Sequence, residues 1–319
     1  MEPGVKPDVR VCRDLDELSR SAADAAARTI DAAVRATGRC ALVLSGGSTP
    51  RALYGALASR LRDQIPWAHV HLFWGDERYV PACDALSNYR MAKEALLDHV
   101  PCPAANIHPI PTDAPTPDAA ARDYEATLRR YFAGREAVFD LVLLGLGVEG
   151  HTASLFPGSP ALAETTRWVL AVTAPAEPPE RLTLTLPMLN RAASVYFLVA
   201  GTQKARALGR VLSGTADPRA CPAAGVRPPQ GSVIWWVDRD AARPRDPDLH
   251  KGAIQGDRLG DEQQGNANAP ALDASGMPAG PIAMAEDRIG ANVDDGEIAN
   301  ADETGRTTDA PRDELYPLD

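Results

Sequence analysis

The chain contains no C-x-x-C pair. Its five cysteines, Cys12, Cys40, Cys83, Cys102 and Cys221, are scattered and odd in number. That excludes a disulfide framework and a zinc knuckle, and fits reduced thiols. No apolar run approaches the roughly 18 residues of a membrane-spanning helix, and the opening MEPGVKPDVRVC has no apolar signal core. A basic excess is missing as well. Residues 239–319 hold 18 of the 43 acidic side chains and 8 of the 33 basic ones, which leaves 25 of each sign in residues 1–238. An electroneutral body offers no footing for nucleic acid or an anionic membrane. The chain is expected to be cytoplasmic and monomeric, with neither nucleic acid nor membrane as partner.

Aromatic side chains all but vanish beyond residue 240, where Tyr316 stands alone. A stretch so poor in large apolar groups cannot offset its ordering entropy. The sequence therefore divides into an α/β domain over 1–240 and an acidic, low-complexity tail over 241–319, expected to be disordered.

Within the first part, short apolar runs alternate with helical stretches. VRVC, CALVLS, VHLFW, FDLVLLG, WVLAV, RLTLTL, VYFLVAG and SVIWWVD read as strands. Helices are expected from Asp14 to Ala36 with a stop at Gly38, after Thr49-Pro50, over Asn88–Asp98 and Pro117–Phe132, and in TQKARALGRVL. Strands this apolar are buried on both faces, as in a parallel sheet covered by helices. The expected fold is one doubly wound, mostly parallel, Rossmann-like α/β domain.

Ligands of such sheets sit outside the carboxyl ends of the strands. The sequences there are SGGSTP, GDER, GLGVEGH and GTQK. Ser45, Gly46, Gly47, Ser48 and Thr49 can present free amides at a helix start, with Ser48 or Thr49 as cap and Pro50 at the first helical position. Lys204, at a similar strand-to-helix junction, and Arg181, after a Pro-rich loop, are cations suited to the same anion. Arg78 suits substrate oxygens, with Asp76 holding it or a sugar hydroxyl, and Asn88 and Arg90 finish that wall. His151 follows Gly145-Leu146-Gly147-Val148-Glu149-Gly150. Its imidazole can take a proton from water and return it, and the Glu149 carboxylate can orient the ring.

Gly145, Gly147 and Gly150 also spell the dinucleotide fingerprint G-x-G-x-x-G. That reading fails downstream. Pro157-Gly158 interrupts the helix such a turn would open, and Glu164 precedes the next apolar run instead of ending it. No His, Cys, Asp or Glu cluster has metal-site spacing, and no G-x-S-x-G elbow offers a covalent route.

LSGGSTPRALYGAL, FWGDERYVP with SNYRMAKEALL, DLVLLGLGVEGHTASLFPGSPAL, ERLTLTLPMLN and GTQKARAL together resemble the 6-phosphogluconolactonase family over about residues 8–240. The resemblance implies hydrolysis of 6-phosphoglucono-1,5-lactone without metal or cofactor. It implies His151 as general base, Glu149 where the family usually has Asp, and Gly150 and Arg78 near the lactone. It also implies the Ser45–Thr49 loop, Arg181 and Lys204 at the phosphate. Two alternatives stand beside it. One is a glucosamine-6-phosphate deaminase, which would want a carboxylate at the position of Phe156. The other is a non-catalytic sugar-phosphate sensor.

Overall fold

The computed structural model describes residues 7–243. The expected tail lies outside the described residues, apart from 241–243. In chain order the elements are β1 (Asp8–Cys12), α1 (Leu15–Thr37), β2 (Cys40–Leu44), α2 (Ser48–Arg60), β3 (Val70–Trp74), β4 (Asp76–Arg78), α3 (Asn88–Ala95) and α4 (Pro117–Tyr131). There follow β5 (Leu141–Gly145), β6 (Val169–Thr173), β7 (Glu180–Leu184), α5 (Leu186–Leu189), β8 (Ser194–Val199), α6 (Ala205–Leu212), β9 (Ser232–Asp238) and α7 (Arg239–Ala242).

Helix α1 shows how the sequence sets these elements. The Asp14 carboxylate accepts the Glu17 amide at 2.8 Å and caps the start. Leu18, Ala22, Ala26 and Ile30, one every four residues, are almost wholly buried along a single face. Gly38 adopts the left-handed conformation that ends the helix, and its amide donates to the Val34 carbonyl.

Six strands form one parallel sheet in the order β1-β9-β8-β5-β2-β3. All five residues of β2 are buried, as are four of the five in β5, so helices and connections cover both faces. The doubly wound α/β fold expected from the apolar runs is present. From β2 the chain continues outward to β3, whereas β5, β8 and β9 build in the opposite direction. The carboxyl ends of the neighbours β2 and β5 therefore mark the point where the winding reverses, the usual place for a ligand crevice.

Three expectations need correction. WVLAV and RLTLTL do not join this sheet. They form β6 and β7 of a separate antiparallel sheet, ordered β4-β7-β6. Asp76–Arg78, read as a loop, is its third strand. Gly75 joins the two layers: its amide donates to the Leu44 carbonyl, and its carbonyl accepts from the Leu184 amide. The helix expected over Asn88–Asp98 stops at Ala95, and a 3-10 turn takes over at Leu97–His99.

Candidate active site

A pocket opens where the winding reverses. One wall is the turn from β2 into α2. Tyr54, wholly buried, holds this turn: its hydroxyl donates to the Ser45 carbonyl and accepts from the Ser45 amide, both at 2.8 Å. Gly47, not Ser48 or Thr49, occupies the N-cap of α2, and no side chain caps it. Pro50 is the third helical residue, not the first. The amides of Ser48 and Thr49 come before the first intrahelical bond, which Arg51 donates to the Gly47 carbonyl. With Gly46 and Gly47 they line the pocket. Unsatisfied amides at the positive end of a helix form an anion seat.

The opposite wall comes from the small sheet. Arg78 on β4 and Arg181 on β7 are direct cross-strand partners, and both line the pocket. Both are buried. Arg181 donates to the carbonyls of Pro178 at 3.0 Å and Glu177 at 3.3 Å. Arg78 donates through Nη1 to the Leu86 carbonyl at 2.6 Å, while its Nε is buried with no partner. Burial, and then the charge of Arg78, lower the pKa of Arg181. Among the described residues neither guanidinium has a carboxylate within ion-pair distance. Two adjacent buried cations in that state call for an anion.

Asp76 does not hold Arg78 as expected. Its carboxylate accepts from Ser154 Oγ at 2.7 Å and, at 3.5 Å, from Asn88 Nδ2. Asn88 lines the pocket. Arg90 does not, and turns to Glu94 and the Cys83 carbonyl.

The third wall is the turn after β5. Gly147 donates to the His151 carbonyl at 2.9 Å, Gly150 to the Gly147 carbonyl at 3.0 Å, and Thr152 Oγ1 to the Gly145 carbonyl at 2.9 Å. The His151 ring lies against Gly147, where a Cβ would come within 2.0 Å of Nδ1. The ring also meets Phe156, with centroids 4.4 Å apart. His151 Nδ1 is 2.9 Å from Glu149 Oε1, but the contact is not an aligned hydrogen bond. Burial pushes the Glu149 carboxyl up, yet His151 and Lys204 outweigh it and hold the group below its ordinary range. Ala153, also lining the pocket, has φ 47°, a left-handed conformation costly to a residue with a Cβ.

Of the residues expected here, Ser45, Gly46, Gly47, Ser48, Thr49, Asp76, Arg78, His151 and Arg181 share one pocket. Glu149, Gly150 and Lys204 are not among the lining residues. Lys204 is half-buried and electrically coupled to Glu149; burial lowers its pKa, and Glu149 opposes that. Tyr54, Phe156 and Ala153 lie inside the quoted motifs, but the chemistry of their side chains does not mark Tyr54 or Ala153 as part of the site. Among the described residues no three His, Cys, Asp or Glu side chains converge as metal ligands, and no helix is long and apolar enough to cross a membrane.

A family model described as glucosamine-6-phosphate isomerases/6-phosphogluconolactonase matches residues 13–235. A 6-phosphogluconolactonase from Synechocystis sp. is 48% identical over 215 residues, covering 66% of this chain and 87% of that protein. Another from Mycobacterium tuberculosis is 44% identical over 241 residues, covering 73% and 96%. The solved structure of 6-phosphogluconolactonase from Trypanosoma brucei is 32% identical, with a TM-score of 0.66 over 75% of this chain and 98% of that one.

Proposed function

The chain belongs to the glucosamine-6-phosphate isomerase/6-phosphogluconolactonase family, and we propose that it hydrolyses 6-phosphoglucono-1,5-lactone to 6-phosphogluconate. The observation that carries this reading is the joint placement of three features in one pocket: an imidazole, a helix start with free amides and a pair of buried arginines. A lactone ester bearing a distant phosphate needs a base at one end and an anion seat at the other. Phe156 packs on His151 where amine chemistry would want an acid.

In the proposed mechanism the phosphate rests on the Ser48 and Thr49 amides, with Arg181 neutralising it. Water lies between His151 and the lactone carbonyl carbon. Glu149 takes the Nδ1 side of the ring, which leaves Nε2 for the water. As the water attacks, Nε2 takes its proton, and Arg78 stabilises the oxygen that gains charge. The imidazolium then returns the proton to the departing ring oxygen, giving the free hydroxyl and the carboxylic acid, which releases its own proton to solvent as the carboxylate. The Lys204 charge adds to His151 in keeping Glu149 ionised. General-base help of this kind is worth about 10²- to 10⁴-fold, a sufficient demand on an ester that is already reactive.

The test is to generate the lactone in situ and follow its loss with wild type and His151→Ala. Turnover well above the spontaneous rate, abolished in His151→Ala, is expected. A wild-type rate equal to the spontaneous one overturns the proposal.

A further inference from the structure

The ERLTLTLPMLN motif supplies Arg181 to the pocket, but its last residue, Asn190, lies outside the pocket lining and has no part in the chemistry above. Its side chain binds elsewhere. Asn190 Nδ2 donates to the Gly225 carbonyl at 3.0 Å, and Oδ1 accepts the Arg227 amide at 2.6 Å. Asn190 thereby ties down one end of the segment 217–227, which folds through a short 3-10 turn at Pro222–Gly225.

This segment runs along the back of the His151 turn and touches it repeatedly. The Ala223 amide donates to the Gly150 carbonyl at 3.0 Å, and the Gly158 amide donates to the Arg219 carbonyl at 2.8 Å. Cys221, wholly buried, fills the space beside Gly150: a Cβ there would come within 2.5 Å of its sulfur. Gly150 also has φ 98°, so residue 150 is fixed both by its own backbone and by Cys221. From α6, Arg210 spans both parts. Its Nη2 donates to the Ala220 carbonyl at 2.7 Å and its Nη1 to the Glu149 carbonyl at 3.4 Å. Residues 149, 150 and 158 are thus held on both sides of His151, by groups outside the pocket lining.

We infer that residues 217–227 form a strap that sets the position of the Glu149–His151 pair, with Asn190, Arg210 and Cys221 as positioning residues. The inference rests on the lactonase reading for its kinetic consequences, but not for its geometry. The short turn from Gly147 to His151 carries two glycines, and the Glu149 contact within it is not an aligned hydrogen bond. The strap supplies the missing constraint from behind, where it does not compete with substrate.

Arg210→Ala and Asn190→Ala, in the full chain, test this. Misplacement of a reacting group by about 1 Å can cost about 10²-fold, so kcat is expected to fall about tenfold or more while KM stays within about twofold. The Hε1 resonance of His151 is expected to move in both variants. Arg210→Lys, which still donates to a carbonyl, should recover most of the loss. Arg210 is exposed, so its variant remains informative if Asn190→Ala does not fold. A purely structural role would lower the melting temperature and leave kcat and the resonance of the folded enzyme alone. That result, or a rise in KM with unchanged kcat, overturns the strap. If wild type itself fails to hydrolyse the lactone, the function falls, and the resonance still decides the strap.

Discussion

Glu149 Oε1 lies 2.9 Å from His151 Nδ1, while the second carboxylate oxygen, Oε2, is buried without a hydrogen-bond partner. The Glu149 carboxylate is thus close to the ring without an aligned hydrogen bond to it. Its pKa is held low, so it stays ionised through the range in which a histidine titrates. Glu149→Gln keeps the shape and removes the charge. It is expected to lower kcat by about 10- to 10²-fold, part of the range general-base catalysis supplies, with KM nearly constant. Glu149→Asp keeps the charge and should remain within about tenfold of wild type, since a carboxylate can still reach the ring. Steady-state rates on the lactone decide this; a Gln variant as fast as wild type would remove Glu149 from the mechanism.

Arg78 and Arg181 face each other across β4 and β7 with burial already lowering the pKa of Arg181. An anion that enters relieves this repulsion, so the product should stabilise the protein. At about 100 times its Kd, 6-phosphogluconate is expected to add about 2.7 kcal/mol, or roughly 5–10 °C in melting temperature. Arg181→Lys keeps a charge but loses the planar fork. It should raise KM by about tenfold or more and shrink the thermal shift. A full shift in that variant would place the phosphate elsewhere.

Much of this site is visible in the sequence because its glycine turns follow apolar strands. β2, β3, β5 and β8 announce themselves as apolar runs, and the ends of such strands are where ligands bind. β4 does not. Asp76-Glu77-Arg78 has no apolar pattern, and becomes a strand only by pairing with β7 and by burying Glu77, whose carboxylate accepts from the amides of Arg78, Asn88 and Tyr89. The apolar pattern of β6 and β7 marks them as strands but does not say which sheet takes them. Tyr54 and Tyr124 are a second kind of gap. Each clasps the carboxyl end of a strand of the six-stranded sheet, at Ser45 and at Trp74, through both amide and carbonyl. Nothing in a local stretch signals a hydroxyl whose partner lies up to 50 residues away. Lys204 sits at the junction the sequence marks, half-buried and electrically coupled to Glu149, and is not among the residues that line the pocket.

Away from the site, His71 and His108 share a hydrogen bond between Nδ1 and Nε2 at 3.2 Å, with rings 9° from parallel. Burial, and then His71, push His108 down to about 4. Burial and Arg39 lower His71, and the Tyr131 ring closes the cluster. An unfolded histidine titrates near 6.5. Between about 6.5 and about 4 the unfolded chain therefore binds more protons than the folded one, and stability rises with pH. The pair's contribution is present above that window and is lost as pH falls through it. Urea unfolding at pH 7 and pH 5 should show the loss. His108→Gln should flatten the pH dependence even if it lowers stability throughout. A variant with the wild-type slope would locate the acid sensitivity elsewhere.

The two glycines of the G-x-G turn can be told apart by what a methyl group would meet. At Gly145 an added Cβ meets nothing within 4 Å, whereas at Gly147 it enters the His151 ring. Were the turn built for a dinucleotide, both glycines would serve a pyrophosphate and His151 would be indifferent to residue 147. In this structure residue 147 is the floor under the imidazole. Gly147→Ala must displace the ring or the turn, and a displacement of about 1 Å is enough to cost about 10²-fold in kcat. Gly145→Ala should lose far less. Rates for the two variants, with their melting temperatures, separate loss of position from loss of fold. Equal losses in both, or a Gly147→Ala enzyme with wild-type kcat, would show that the ring does not rest on residue 147 during turnover.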